Sequence, residues 1–222
     1  MAELVSDYSE RRDDVFTDMV LTVEDREFHV CKTTLAYFSD YCRIIFFGPW
    51  SESNNTTHEL PVKAHQFQLA LDFLYHKIEV TEWNAEDLLE VARYLQINVI
   101  VARCEQELCA EKKDGKQKLN IPRYRKLCLA DKYGLQGLLD HLLRNAKKPE
   151  VMETYLPRAK VELSESTLVK FMQRIDDLKK KKAEEEEKER AKKEKEEQRQ
   201  ADRNRRDEMR RQQAQPPRGD MQ

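Results

Sequence analysis

Cysteine and histidine are the residues in this sequence that could supply nucleophilic chemistry. Cys31 lies two residues after His29, and His141 could be combined with Cys104 or Cys109. A catalytic cysteine needs a lowered pKa and a base held beside it in the fold, which spacing alone does not supply. Cys104 lies on an apolar helical stripe and His29 alternates with an apolar neighbour, so we expect a core thiol and a solvated imidazole. No enzymatic activity and no catalytic residue are therefore predicted.

The five cysteines do not form a metal-binding or disulfide pattern either. Their number is odd, and no two of them are spaced as Cys-x-x-Cys. Reduced thiols, mostly in apolar surroundings, are favoured, which is typical of an intracellular protein. We also expect no signal peptide and no membrane-spanning segment. The sequence thus predicts a cytoplasmic or nuclear protein without metal or cofactor.

Charge separates the chain of 222 residues into a body and a tail. Residues 1–178 carry 24 basic and 30 acidic groups, whereas residues 179–211 carry 15 basic and 11 acidic groups. A mildly acidic body argues against a dedicated nucleic-acid-binding domain, which should be basic on one face. Lysine and arginine clusters in the tail could be weak nuclear-localisation or RNA-contact signals, but the interleaved glutamates favour a solvated spacer. The sequence therefore argues against nucleic acid as a partner.

The stretch from 18 to 47 changes its hydrophobic period twice. Residues 20–23 are a short apolar stretch rich in β-branched side chains, and residues 27–30 alternate polar and apolar side chains. Together they predict a hairpin of two strands. Thr33 or Thr34 could cap a first short helix, and Ser39 a second one that carries Ile44, Ile45 and Phe47. Such a hairpin feeding two helices is the beginning of a compact α+β domain.

Further along, apolar spacing predicts a series of helices behind a short edge strand at 58–62. The first domain should contain a helix over 64–76, one capped by Asn84 with Asp87 as a capping box, and one capped by Asn98. The second group should contain a helix from Pro122 to a cap at Gly134, a Leu-rich helix over 135–143, a short one ending near Pro157, and one capped by Ser164. The tail lacks sustained a and d apolar positions, so we expect a frayed single helix and not a coiled coil.

Several of these positions together resemble the BTB/POZ domain. The resemblance covers roughly residues 14–112 and rests on spacing held over about a hundred residues. The matching positions are Asp18, Phe28, Cys31-Lys32, Leu35-Ala36, Ser39, Arg43 to Phe47, Phe73-Leu74-Tyr75, Leu88-Leu89, Ala92, Leu95-Gln96 and Cys104. The chain departs from the pattern where Cys31 replaces a histidine, Cys42 an aromatic residue, and His76-Lys77 a Thr-Gly pair.

The segment 129–138 is similar to the helical extension that follows BTB domains in nematode-type cullin adaptors, a short form of the BACK region. The resemblance implies an α+β BTB/POZ fold, a short mixed β-sheet flanked by helices, over 14–112. A BACK-like helical bundle over 116–178 should follow it. Residues 1–13 are expected to be disordered, and residues 179–222 to form a charged, helical or disordered tail.

The resemblance also implies a homodimer surface made by the first helices, near Asp18, Lys32, Leu35 and Tyr37. In the family the first two form a charged pocket near the dimer axis. The alternative is that Asp18 only terminates a strand and Lys32 is merely exposed. Whether the assembly is a dimer or a pentamer stays open.

A second implied surface binds a cullin through Phe47, Trp50, Glu52 and Tyr75, and the helices over 120–143 would flank the same groove. Family adaptors carry a hydrophobic-x-Glu motif after the second helix, which corresponds here to Trp50-Ser51-Glu52. An exposed Trp would anchor the interface and the Glu would fix its register, unless Trp50 folds back on its own helix. The resemblance thus predicts a homodimeric adaptor that joins an unknown protein substrate to a cullin-3-type ubiquitin ligase. A cullin-independent oligomeric scaffold in transcription or the cytoskeleton is the alternative.

Overall fold

The computed structural model describes residues 8–9, 17–49, 57–111 and 118–213, and a tight hairpin is the first regular secondary structure among them. β1 (Met19–Val23) pairs antiparallel with β2 (Arg26–Val30), so the predicted hairpin is confirmed. β3 (Thr57–Glu59) pairs parallel with β1, and the sheet order is β2-β1-β3. β3 is therefore an edge strand, as predicted, but shorter than expected. Pro61 lies beyond the end of β3. The backbone hydrogen bond that follows β3 runs from the N of Leu60 to the carbonyl O of Thr22 at 2.9 Å, so it does not need the N–H that proline lacks.

Five helices follow in the part of the first domain that the structure describes, and their apolar faces pack on the sheet and on one another. They are α1 (Lys32–Phe38), α2 (Asp40–Phe47), α3 (Ala64–Leu74), α4 (Ala85–Tyr94) and α5 (Asn98–Cys109). Phe28 of the sheet meets Phe67 of α3 edge to face, with ring centroids 5.1 Å apart. Both rings are buried, and such pairs add to the stability gained from burial alone.

The starts of these helices test the predicted caps. Ser39 caps α2 as predicted, since its Oγ accepts from the backbone N of Cys42 at 3.0 Å. The capping box at Asn84 is wrong: this side chain instead accepts from the backbone N of Thr81 and donates to the carbonyl O of Glu79, which closes the preceding turn. Asn98 is the first residue of α5 and not its cap.

Behind the first domain, three helices form the body of the extension. They are α6 (Arg123–Tyr133), α7 (Gln136–Arg144) and α8 (Pro149–Glu162). Gly134 ends α6 with a φ of 65°, the left-handed conformation that its lack of a Cβ permits, so this prediction is confirmed. The predicted end near Pro157 is wrong, because α8 continues to Glu162. Pro157 is exposed, and the burial of Met152 and Ala159 on either side outweighs the hydrogen bond that it removes.

The last helix, α9 (Glu165–Gln213), runs through the predicted boundary between extension and tail. Ser164 precedes it as the predicted cap, with its Oγ 3.5 Å from the backbone N of Thr167. The buried stripe of α9 comprises Thr167, Phe171, Ile175 and Leu178. Beyond it the described side chains of α9 are exposed. The change at residue 178 is therefore one of burial, while the helix itself continues.

Side chains join the extension (118–178) to the first domain. The fully buried Lys126 of α6 donates from its Nζ to the carbonyl O of Leu108 in α5 at 2.7 Å. A carboxylate oxygen of Glu105 accepts from the backbone N of Leu138 at 2.9 Å, at the start of α7. These bonds satisfy groups that would otherwise be costly to bury, and they fix both helices against α5. No helix among the described residues has the length and apolarity to cross a membrane.

Candidate protein-binding surfaces

Asp18 joins the start of the sheet to the start of α1. Its Oδ1 accepts from the backbone N of Lys32 at 2.7 Å, so the carboxylate caps the first turn of α1. The expected cap by Thr33 or Thr34 is wrong, because the helix begins at Lys32. The structure therefore brings Asp18 and Lys32 together through carboxylate and backbone. Their role in a dimer stays a prediction.

The two other predicted dimer residues lie on opposite sides of α1. Leu35 is 1% exposed and belongs to the core, whereas Tyr37 is 83% exposed. The ring of Tyr37 packs edge to face against Phe38 at 5.0 Å. Leu35 thus holds α1 on the domain from beneath, and Tyr37 is the residue of this pair that a partner could contact.

α2 likewise divides into a buried and an exposed face. Cys42 and Phe46 are buried, while Ile44 is 59% and Phe47 is 55% exposed. The helix ends at Gly48, where a Cβ would collide with the carbonyl oxygen of Ile44. Phe47 is thus presented to solvent at the end of α2. The other predicted cullin-binding residues that follow it, Trp50 and Glu52, lie outside the described residues.

Tyr75, the fourth predicted cullin-binding residue, lies just after α3 and is partly covered by Tyr8. The two rings stack with centroids 6.2 Å apart. The Tyr8 hydroxyl donates to Oδ1 of Asp72 at 2.8 Å, and Lys77 places its Nζ 4.7 Å from the centroid of the Tyr8 ring. The expectation of disorder over 1–13 is therefore wrong for Tyr8, which is buried. The only sequence signal for the burial of Tyr8 was that it is the single aromatic residue in a polar segment.

The thiols have environments that differ sharply. Burial raises the pKa of Cys104 to about 12, and burial also raises the pKa of Cys42 to about 11. Both thiols are therefore protonated at neutral pH and act as small apolar groups. Partial burial pushes the pKa of Cys31 up, but hydrogen bonds from Thr33 and Thr34 outweigh it and lower the pKa.

Acidic, histidine and cysteine side chains do not converge on a metal site in the part of the chain that the structure describes.

One exposed aromatic that the sequence analysis did not single out is Trp83, which precedes α4 and is 87% exposed. Its polar neighbours Glu82 and Asn84 were the available signal for exposure. The prominent features of the first domain are thus solvent-facing apolar side chains and not clusters of reactive groups.

Comparison with known proteins identifies the first domain. The family model for the BTB/POZ domain matches residues 8–112. The BTB and MATH domain-containing protein 45 of Caenorhabditis elegans is 27% identical over 157 residues, which are 70% of this chain and 32% of that protein. The human Kelch repeat and BTB domain-containing protein 2 is 35% identical over 96 residues, 42% of this chain and 15% of that protein. This chain thus spans a third or less of the length of these curated relatives.

Among solved structures, the BTB domain of zebrafish PATZ1 is 26% identical, with a TM-score of 0.35 over 40% of this chain and 73% of that chain. BTB domains are protein-interaction modules, which agrees with the exposed aromatic side chains described above. The family match, the hairpin and the helices that follow it lead to one assignment. Residues 8–112 of this chain form a BTB/POZ domain of the α+β class, and a helical extension follows it.

Proposed function

We propose that this protein is a homodimeric substrate adaptor of a cullin-3-type ubiquitin ligase. The observation that supports the proposal is the set of large apolar side chains that α1 and α2 expose, namely Tyr37, Ile44 and Phe47. Both helices are short, and their buried residues already attach them to the core. The exposed residues add nothing to that core, so a binding role explains them better than a packing role.

Two surfaces are needed for the proposed role, and α1 and α2 offer one candidate each. Tyr37 of α1 would pack against a second copy, while Phe47 and Tyr75 would contact the cullin together with Trp50 and Glu52. Aromatic residues dominate interface energetics because they bury a large area at a low cost in conformational entropy. A neighbouring carboxylate such as Glu52 would fix the register of binding.

The proposed mechanism is positional. The cullin-bound ligase supplies the chemistry, and the adaptor raises the effective concentration of a substrate lysine beside it. Such a role needs no nucleophile, and the high pKa values of the buried thiols Cys42 and Cys104 do not conflict with it.

Binding to the amino-terminal domain of a cullin-3-type protein, measured by isothermal titration calorimetry, tests the proposal. Phe47→Ala and the double variant Trp50→Ala, Glu52→Ala should each weaken binding by about tenfold or more, as expected for interface anchors. Trp83→Ala removes an equally large exposed aromatic elsewhere on the domain and should bind like the wild type. If the wild type does not bind the cullin, the adaptor proposal fails and the cullin-independent scaffold remains.

A further inference from the structure

The helical extension contains an apolar groove whose lining includes none of the four proposed cullin-binding residues and none of the four proposed dimer residues. Its volume is about 290 Å³, and helices α6 to α9 all contribute to its walls. Tyr124 and Leu127 of α6, Val151 and Tyr155 of α8 and Phe171 of α9 supply much of its apolar surface. Protein interiors rarely leave voids larger than a water molecule, whereas ligand sites begin at roughly 300 Å³. The groove is therefore large enough for one or two apolar side chains of a partner.

The walls of the groove are held by specific contacts. Arg174 of α9 donates from Nη2 to the carbonyl oxygens of Arg144 and Ala146, both at 3.0 Å, and so fixes the α7–α8 connection that forms one side. The rings of Tyr124 and Tyr155 pack against each other at 5.2 Å across α6 and α8. The groove is thus a formed feature of the extension, with part of its apolar lining still open to solvent.

Charge at the groove has one sign. Arg123, Lys147 and Lys148 are exposed among its lining residues, and no Asp or Glu belongs to that lining. The carboxylates nearby on α8 already have partners. Glu150 pairs with Lys182, Glu153 with Lys179 at 2.6 Å, and Glu162 accepts from the Tyr124 hydroxyl at 2.9 Å. Arg123 makes one long hydrogen bond, from its Nη1 to the carbonyl O of Asn145 at 3.4 Å, and all three lining cations are exposed to an acidic partner.

An apolar floor with a cationic rim sets two requirements for the occupant. Its centre must be apolar, to replace the water over Val151 and Tyr155, and its flanks must be negative, to meet Arg123, Lys147 and Lys148. Nucleic acid meets the second requirement but brings no aliphatic side chain to the floor. We propose that the groove binds a short acidic segment of a partner protein that inserts one or two apolar side chains between α6 and α8. Under the adaptor proposal this segment would belong to the substrate, and only that identification rests on the proposed function.

Selection from a phage library of random peptides of about 12 residues, with the full-length chain as bait, tests this inference. The selected peptides should combine Asp or Glu with large apolar residues. Synthetic copies should lose binding in fluorescence anisotropy when their acidic residues are replaced by Lys or their apolar residues by Ser.

Variants of the chain then locate the binding. Val151→Trp fills the groove, and the double variant Lys147→Glu, Lys148→Glu reverses the rim, so each should raise the Kd by about tenfold or more. Val161→Trp on the exposed side of α8 makes the same substitution outside the groove. Lys180→Glu, Lys181→Glu makes the same charge change on α9. Both controls should stay within roughly twofold of the wild type.

Three results would overturn the inference. They are a library that enriches no peptide, enriched peptides without acidic residues, and acidic peptides whose binding survives both groove variants. The groove variants should still bind the cullin fragment, and Phe47→Ala should still bind the peptides. A failure of the groove can thus be told apart from a failure of the adaptor proposal.

Discussion

The small side chain of Ser39 makes two hydrogen bonds in the core of this domain. Its Oγ accepts from the backbone N of Cys42 and donates to the carbonyl O of Leu95 at 2.5 Å, and the residue is fully buried. One hydroxyl thus caps α2 and joins it to the end of α4. Because α2 carries Phe47, this residue also positions the proposed cullin-binding surface.

Ser39→Ala should therefore destabilise the domain. It leaves a buried N–H and a buried carbonyl without this partner, and we expect a loss of about 1–3 kcal/mol in the free energy of unfolding. Urea denaturation followed by circular dichroism measures it. Ser166→Ala, at an exposed position near the start of α9, is the matched control and should change the free energy by less than about 0.5 kcal/mol. Equal stability of the two variants would contradict the role given to Ser39.

The surroundings of Asp131 predict that the stability of the fold depends on pH. Partial burial pushes the pKa of its carboxyl up, but hydrogen bonds from Ser164 and Thr167 outweigh it and hold the pKa below the ordinary 3.8. Its oxygens accept from the backbone N of Ser164 at 2.8 Å and from the Ser164 hydroxyl. A depressed carboxyl pKa stabilises the fold above the unfolded pKa, and that stability is lost as the pH falls through the folded pKa.

The wild type should therefore lose stability as the pH falls below about 4, while Asp131→Asn should be less stable at neutral pH and should lose less on acidification. Thermal unfolding between pH 2 and pH 7, in steps of about one unit, measures both effects. A variant with the same slope as the wild type would show that the bond to Ser164 is not linked to protonation.

At the scale of elements, α9 combines a packed segment with a free arm. Its first turns bury Phe171, Ile175 and Leu178, and Lys179 is the next residue, paired with Glu153 of α8. From there the arm continues to residue 213 and, at 1.5 Å per residue, is about 50 Å long. Ion pairs such as that between Lys193 and Glu189, 3.1 Å apart and exposed, add only a few tenths of a kcal/mol each.

Truncation should separate the two parts of α9. Removal of residues 183–222 should shift the midpoint of thermal unfolding by less than about 2 °C, because the described side chains it removes are exposed. Removal of residues 165–222 should instead cost several kcal/mol, at about 1.5–3 kcal/mol for each large apolar side chain lost from the core. A large destabilisation by the shorter truncation would mean that the arm packs against something.

Local signals account for the elements that the sequence predicted correctly. The hairpin, the caps at Ser39, Gly134 and Ser164, and the buried stripe of α9 each depend on residues close together in the chain. The elements it missed depend on distant partners. Tyr8 is ordered by Asp72, α1 is capped by Asp18, and α8 continues past Pro157 because its neighbours are buried.

The candidate surfaces also include features that the sequence predicted and features that depend on residues far apart in the chain. The family resemblance alone implied that Tyr37, Phe47 and Tyr75 are binding residues, and it did not distinguish them from Leu35, which is buried in the core. The groove of the extension was not foreseen, because four helices and the rim at 147–148 come together only in three dimensions. Periodicity gives the inward face of each helix, and not the gaps left between helices.

For the whole molecule, the proposed homodimer should be separated by a single substitution at the exposed Tyr37. Light scattering should give the wild type twice the chain mass of 26.4 kDa, and Tyr37→Arg the mass of one chain. In a symmetric interface the introduced charge is repeated on both copies, where burial would remove it from water. Val161→Arg, equally exposed on α8, should remain dimeric. A mass of five chains for the wild type would contradict the dimer.

The mass of its complex with the cullin is the decisive property of the proposed dimeric adaptor, which would hold a cullin on each protomer. The full-length chain is mixed with the amino-terminal domain of a cullin-3-type protein, and light scattering follows gel filtration. The proposed dimeric adaptor should give one species with two copies of each chain, which Tyr37→Arg should convert to one copy of each. Separate elution of the two wild-type proteins at micromolar concentration would contradict it.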